Sequence, residues 1–237
     1  MKKVLLFLLL IAYTHTAKAQ LFSKNKIQNN QNMDKPKWSY GYFLGFNSYD
    51  FNFDYHEDLP DIQVLRTTGF SVGLVGNMRI NDYIDVRLEP GLFITKRELN
   101  YHSSYFNGIS NNDSDLLREV NSTYIHFPLL LKLSTKRVNN IKPFIVGGLS
   151  TAINLSSNEK NPDDNSNGQF RTKSGMIFYE LGAGIDFYLP WFKFTPSIRG
   201  IFAMNDELVR DVDPDSPWTS NIATMKTRGL FINFTFQ

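Results

Sequence analysis

Apolar side chains occupy every second position in eight stretches of the chain, beginning at Trp38. The clearest stretch runs from Gly69 to Ile80, where Phe70, Val72 and Leu74 share one face and Ser71 and Gly73 the other. A period of two is typical of β-strands with two different faces. The other seven stretches are Trp38–Tyr55, Ile84–Thr95, Thr123–Ser134, Lys142–Leu155, Gly175–Leu189, Phe192–Asn205 and Gly229–Gln237. No segment has a convincing helical period, so the pattern predicts an all-β protein.

Long polar connections alternate with tight turns along the same region. The long ones cover residues 56–68, 100–121, 156–173 and 206–224, and the short ones lie at Asn81-Asp82, Lys136 to Asn140 and Pro190-Trp191. An even number of strands with turns at one end and loops at the other is typical of outer-membrane barrels. We therefore expect residues 38–237 to form an eight-stranded antiparallel up-and-down transmembrane β-barrel. Both termini would be periplasmic and the long loops extracellular.

Alternation alone does not say which face points outward, because a secreted lipocalin-like barrel has the same period with its faces reversed. Opposed charges within the strands favour a polar, closed interior and an apolar exterior. The predicted ion-pair network in the lumen consists of Arg79, Asp85, Arg87, Glu89, Lys132, Glu180, Asp186 and Arg199. The predicted lipid-facing residues are Phe70, Val72, Leu74, Ile232, Phe234 and Phe236.

The lumen charges have two interpretations. They can pair across the barrel and plug it, or they can line a path for a proton or small solute. An eight-stranded barrel has an interior just wide enough for its own side chains. We therefore favour the plug and expect no passive pore.

The N-terminus has the pattern of a secretory signal peptide. Lys2 and Lys3 precede the apolar run Val4 to Ala12, and Ala17-Lys18-Ala19 supplies a small-x-small cleavage pattern. Residues 1–19 are thus the predicted signal peptide, with cleavage between Ala19 and Gln20. Residues 20–37, rich in Asn, Gln and Lys, are predicted to be a flexible polar periplasmic lead-in.

The net charge and the absence of cysteine exclude several classes of function. The formal net charge is +2, and the three lysines of the signal peptide lower it to 2 − 3 = −1 in the mature chain. Nucleic acid is therefore not an expected partner. The chain contains 0 cysteines, which excludes disulfides, thiolate metal sites and cysteine nucleophiles.

Candidate chemistry is sparse. His56, His102 and His126 have no metal-ligand spacing. The run Asp163 to Gly168 matches half of an EF-hand loop but lacks the bidentate Glu, and Asp211, Asp213 and Asp215 lack the glycine. Weak calcium binding stays open for these loops. His102 with Asp113 or Asp115 could be assembled into an active site only arbitrarily. We expect no catalytic residue, no metal, no cofactor and no small-molecule substrate, and so no enzyme.

Several segments resemble the PorT family of barrel proteins. They are Asn77-Met78-Arg79, Arg87 to Leu92, Ile125 to Lys132, Lys136-Arg137, Lys142-Pro143 and Glu180 to Pro196, and the resemblance spans most of residues 38–237. PorT-like proteins are outer-membrane barrels required by the type IX secretion system, which supports gliding in some species.

This resemblance implies a non-enzymatic component of protein secretion and gliding machinery, acting as a scaffold or assembly factor through its loops and wall. Its partners would be outer-membrane lipid and other secretion-system proteins. A free-standing structural or adhesive outer-membrane barrel with no role in secretion is the alternative.

Overall fold

Ten β-strands contain most of the residues that the computed structural model describes, which are 28–106, 113–161 and 170–237. The strands are β1 (Trp38–Tyr55), β2 (Gln63–Arg66), β3 (Thr68–Arg79), β4 (Ile84–Leu88), β5 (Gly91–Asn100), β6 (Leu117–Ser134), β7 (Ile141–Asn154), β8 (Gly175–Tyr188), β9 (Lys193–Ala203) and β10 (Ile222–Phe236). A 3₁₀ helix (Ser103–Phe106) and an α-helix (Asp113–Leu116) lie between β5 and β6. No helix in the described part of the chain is long and apolar enough to cross a membrane.

The strands close into a ring because β1 pairs with both β3 and β10. Every neighbouring pair is antiparallel. β2 and β3 share one position in the ring and β4 and β5 share the next, so ten strands fill eight positions. This arrangement confirms the predicted eight-stranded antiparallel barrel.

The strands are staggered by 10 residues around the ring. Starting at Ser48, successive pairs lead through Leu230, Gly200, Leu181, Gly147, Leu131, Val86 and Met78 to Trp38, and 48 − 38 = 10. Such a stagger tilts the strands by about 35–45° from the barrel axis. The interior of a barrel with this strand number is filled by side chains.

The barrel has a turn end and a loop end, named here for the connections that they carry. Outward side chains near the turn end are apolar. On β1 they run from Trp38 to Phe46, and on β8 from Phe187 to Ile177. At a rise of about 3.3 Å per residue and this tilt, such a segment covers roughly 25 Å of the barrel axis. We call this surface the apolar belt.

Four strands continue beyond the apolar belt at the loop end. β1 extends from Ser48 to Tyr55, and its partner β10 begins at Ile222, earlier than the predicted Gly229. β5 and β6 also reach further, to Asn100 and Leu117. The predicted loops at 100–121 and 206–224 are therefore partly strand.

The turn end is crossed by residues 28–37, which we call the strap. Asn29 Nδ2 donates to the Tyr188 carbonyl at 3.1 Å, Asn30 Nδ2 donates to the Leu189 carbonyl at 2.9 Å, and Tyr188 Oη donates to Asp34 Oδ2 at 2.6 Å. The Arg137 guanidinium donates to the Asn29 carbonyl. These partners lie across the ring from β1. The lead-in was expected to be flexible, but these bonds hold residues 28–37 against the barrel.

The predicted signal peptide, with its cleavage point between Ala19 and Gln20, lies outside the described residues, as do residues 20–27 of the lead-in.

Candidate functional site

A cluster of charged side chains is buried inside the barrel, around Glu89 in the break between β4 and β5. Arg87 Nη1 lies 3.1 Å from Glu89 Oε1, and Arg199 Nη1 lies 2.8 Å from Glu89 Oε2. The three side chains are at most 5% exposed. Strand alternation turns Arg87 and Arg199 inward because their neighbours in sequence are apolar and face outward. One carboxylate therefore joins two arginines from different strands.

Glu180 extends this cluster towards the loop end. Its Oε2 lies 2.8 Å from Arg199 Nε, and its Oε1 lies 3.2 Å from His126 Nε2. His126 Nε2 is also 2.8 Å from the Ser150 hydroxyl. Arg199 thus lies between two buried carboxylates, one towards each end of the barrel.

A second ion pair lies nearer the turn end. Lys132 Nζ donates to Asp186 Oδ2 at 2.6 Å, and the Thr195 hydroxyl donates to Asp186 Oδ1 at 2.7 Å. Lys132 Nζ also lies 4.0 Å from the centre of the Phe144 ring. The pair therefore uses both carboxylate oxygens and an aromatic face. A buried charge costs several kcal/mol unless it is paired and hydrogen-bonded, so these contacts stabilise the closed interior.

Two of the eight predicted network residues are placed differently. The Arg79 side chain is 32% exposed and contacts Asp82 in the turn between β3 and β4. Arg79 is the last residue of β3, so it reaches the turn instead of the interior. Asp85 is buried near the start of β4, where it pairs with Arg79 of β3. It has no ion pair within 4.0 Å among the described residues. The expectation for Arg79 was wrong.

Aromatic rings fill the barrel on the loop-end side of the charged cluster. The Phe93 and Phe231 ring centres are 4.7 Å apart, and the Tyr49 ring lies 5.3 Å from both Phe231 and Tyr124. His126 packs edge-on against Phe93 at 5.2 Å. The sequence led us to predict charges in the lumen and not this layer of rings. The signal was present, since Phe231 alternates with outward Leu230 and Ile232.

A network of hydrogen-bonded polar side chains lies on the loop-end side of the aromatic layer. Arg97, which is fully buried, donates to the Thr227, Ser122 and Tyr124 hydroxyls at 3.0, 2.8 and 3.0 Å. Glu207, from the connection between β9 and β10, accepts from Tyr124 Oη at 2.8 Å and from the Thr227 hydroxyl. Two hydroxyls therefore bridge a buried cation and a buried anion, and they tie the β9–β10 connection into the barrel.

An apolar cluster closes the loop end. Phe106 and Leu208 from the connections pack with inward residues of the strand extensions; the buried members are Phe51, Ile62, Leu99, Tyr101, Phe106, Val120, Phe170, Leu208, Ile222 and Met225. Trp218 packs against it, donating its indole N–H to the Asp115 carbonyl at 3.0 Å. The charged cluster, the aromatic layer and the loop-end cluster thus obstruct the barrel axis at successive levels.

The candidate chemical groups do not converge. His102 Nδ1 bonds to the Ser104 hydroxyl at 2.9 Å. Asp211 contacts Arg171 Nη2 at 3.0 Å and accepts from the Ser216 hydroxyl. The half EF-hand at 163–168 falls outside the described residues. Within the described residues, no group of three or more His, Asp or Glu side chains could hold a metal ion.

The predicted lipid-facing residues lie on the apolar belt. Leu74 is 65% exposed, and Phe70, Val72 and Ile232 are exposed as well. Phe234 and Phe236 are partly covered because Phe234 stacks on Phe194 and Phe236 stacks on Tyr42. Their contact with lipid stays a prediction.

Among the solved structures that resemble the chain are the following three. The outer membrane protein OprG from Pseudomonas aeruginosa is 14% identical, with 83% of this chain and 94% of that chain covered and a TM-score of 0.47. Neisserial surface protein A is 11% identical, with 84% and 98% covered and a TM-score of 0.43. Ail, the attachment invasion locus protein of Yersinia pestis, is 10% identical, with 85% and 99% covered and a TM-score of 0.39. No curated protein matches the chain.

A protein family matches residues 19–209, which include β1 to β9 and the whole charged cluster. The match covers most of the chain and is described as an outer membrane protein beta-barrel domain. The chain therefore belongs to the family of outer membrane β-barrel domain proteins and resides in the outer membrane.

Proposed function

We propose that this protein is a non-enzymatic component of the type IX secretion machinery, acting in the outer membrane as a scaffold or assembly factor. The support is the resemblance to the PorT family, carried by segments such as Arg87 to Leu92 and Glu180 to Pro196. A role in gliding follows where the same machinery drives it.

The obstructed interior is the observation that carries a scaffold role. Arg199 is held between Glu89 and Glu180, and the Phe93 and Phe231 rings pack directly above. A conduit needs a continuous polar path, whereas this axis is filled at several levels by paired charges and rings. What the barrel presents to partners is thus its outer wall and its connections.

In this proposal the turn end faces the periplasm and the loop end faces outward, as in other barrels with short turns and long loops. The strap then lies on the periplasmic side. Other secretion proteins are the proposed partners, besides outer-membrane lipid. Neither nucleic acid nor a small-molecule substrate is part of the proposal.

Deletion of the gene tests the proposal. Proteins that carry the C-terminal targeting domain should disappear from the culture medium and accumulate in the periplasm, and a plasmid copy should restore export. The plasmid-encoded protein should show the heat-modifiable migration typical of folded barrels, which checks that it has folded. Unchanged export, with altered envelope integrity or surface binding, would favour the free-standing structural or adhesive barrel.

Purification in mild detergent gives a second test. A tagged copy of the full chain should recover other secretion components in stoichiometric amount. Recovery of the barrel alone, from cells in which export is active, would contradict a scaffold role.

A further inference from the structure

Two arginines lie on the outer wall where the apolar belt ends, on the side of the loop end. On β10 the outward residues run through the exposed Ile232 and Leu230 to Arg228. On β1 the residue opposite Arg228 is Asp50. Arg66, the last residue of β2, reaches the same carboxylate from the other side. Charged groups thus begin where the exposed apolar side chains stop.

Asp50 holds the Arg228 guanidinium in place. Arg228 Nε and Nη2 donate to Asp50 Oδ2 at 3.0 and 2.8 Å, while Arg66 Nη1 lies 3.9 Å from the same oxygen. The Asp50 side chain is 13% exposed, whereas those of Arg66 and Arg228 are 58% and 52% exposed. The carboxylate is therefore covered by two cations, and the outer sides of these cations are open to the surroundings.

These cations have donors to spare. Within the described part of the chain, Arg66 donates no hydrogen bond and Arg228 Nη1 makes none. Lys226, the next outward residue of β10, has no ion pair among the described residues. We call Arg66, Lys226 and Arg228 the basic patch. Together with Asp50, the patch has a net charge of 3 − 1 = +2.

The surroundings of the basic patch define its ligand. On the belt side lie Leu230 and the paired Phe46 and Phe70, which are exposed. The next outward acid of β1, Asp54, lies farther from the belt and accepts a hydrogen bond from the Thr224 hydroxyl. A ligand that contacts both the cations and the belt must combine an anionic head with acyl chains. A phosphate head suits the arginines because their N–H groups form a planar fork.

Another outward cation just beyond the belt is in a different environment. Lys96 of β5 follows the outward Ile94. Its Nζ lies 3.0 Å from Glu98 Oε1 and 2.9 Å from Glu119 Oε1, so this group has a net charge of 1 − 2 = −1. A phosphate would be repelled there. Lys96 is thus a matched control for the basic patch.

We propose that the basic patch binds the phosphate monoester of a membrane lipid, the chemistry that lipid A presents in the outer leaflet. A phosphate monoester carries a charge of about −1.5 to −2, which matches the patch, whereas the phosphodiester of phosphatidylglycerol carries a single negative charge. The proposal goes beyond the scaffold role and takes from it only the orientation, in which the loop end faces outward.

Lipid binding by the full chain tests the patch. The purified barrel in detergent micelles is mixed with lipid A, with dioleoylphosphatidylglycerol or with inorganic phosphate, and native mass spectrometry measures the ligand that is retained. We expect lipid A to bind about tenfold more tightly than phosphatidylglycerol, because its phosphate carries more charge. Inorganic phosphate should not be retained, since it has no acyl chains to contact Leu230 and Phe46.

Matched variants test the cations. Arg66→Gln combined with Arg228→Gln should weaken lipid A binding about tenfold, whereas Lys96→Gln should leave it unchanged. Arg66→Lys combined with Arg228→Lys keeps the charge but loses the planar fork, so it should weaken binding by less than the Gln pair. Heat-modifiable migration checks that each variant has folded.

Three outcomes would overturn the proposal. Equal binding of lipid A and phosphatidylglycerol would exclude a site for the monoester. Equal retention of inorganic phosphate would identify a site for free phosphate instead of a lipid. Unchanged lipid A binding after both arginines are replaced by Gln would place the lipid elsewhere on the wall.

The basic patch and the secretion role fail separately. Normal export after gene deletion would remove the secretion role and leave a positive lipid A result standing. Absent lipid A binding with blocked export would remove the patch proposal alone.

Discussion

Lys132 of β6 and Asp186 of β8 form an ion pair of 2.6 Å although β7 lies between their strands. Both side chains are 2% exposed. Because backbone pairing joins only adjacent strands, this contact adds a link across the interior that the sheet does not supply. Its geometry makes it the best place to measure what the interior contributes to stability.

Lys132→Met should destabilise the folded barrel by about 3–5 kcal/mol, because it leaves the Asp186 carboxylate buried without its cation. Adding Asp186→Asn should recover much of that loss. Urea unfolding of the refolded chain in lipid measures both. Lys96→Met is the control, since Lys96 is exposed beside Glu98 and Glu119 at the barrel surface and its loss should leave the stability nearly unchanged. Equal losses of stability in Lys132→Met and in the double variant would contradict the pairing of Lys132 with Asp186.

Substituting arginine for an outward residue of the apolar belt should destabilise the folded barrel most at the middle of the belt. Leu74 lies well inside the belt, whereas Phe70 is the last outward apolar residue before Thr68. Leu74→Arg should therefore destabilise the barrel by about 2–4 kcal/mol and Phe70→Arg by clearly less. Leu74→Ile is the apolar control. Tolerance of arginine at Leu74, Val72 and Ile232 alike would reverse the assignment of the two faces.

Removing one hydroxyl should loosen the strap. Tyr188→Phe deletes the bond from Tyr188 Oη to Asp34 Oδ2, and hydrogen bonds to charged groups contribute about 1.5–3 kcal/mol. The Met33 and Lys35 amides, which bond within the strap, should then exchange at least about tenfold faster. Tyr179→Phe, on the outer wall, should leave them unchanged. Unaltered exchange in Tyr188→Phe would mean that other contacts alone hold the strap.

The loop end offers a pH test. The Ser174 hydroxyl and N–H donate to Glu159 Oε2 at 2.5 and 2.8 Å, and these bonds lower the pKa of Glu159. Since the folded pKa is depressed, the contact is present above the ordinary carboxyl range and is lost as the pH falls through the lowered pKa. Ser174→Ala should raise the pKa of Glu159 towards its ordinary value in a carboxyl carbon NMR titration. An unchanged midpoint would exclude the hydroxyl as the cause.

The sequence predicts the belt portions of the strands well, because there the outward side chains are apolar and the alternation is strong. It misses the extension of β10 from Ile222 to Arg228, where outward Thr224, Lys226 and Arg228 are polar. Beyond the belt the outer face is hydrated, so period two no longer distinguishes a strand from a polar loop.

The interior is harder to predict than the wall. Alternation identifies Lys132, Asp186 and Glu180 as inward charges, but their partners depend on the stagger of the strands, which the pattern does not contain. The aromatic layer was missed because Tyr49 and Phe43 lie in a strand whose two faces are both aromatic. The strap was missed because an Asn-rich segment acquires structure only from Arg137 and Tyr188, which are distant in sequence.

The strap also carries information about the order of events during folding. Although it precedes β1 in the chain, its bonding partners at Arg137, Asn140 and Tyr188 belong to later elements on the far side of the ring. It can settle only after those elements have been synthesised, exported and arranged. A segment that precedes the first strand is thus among the last to find its place, and its docking would report that the barrel is complete.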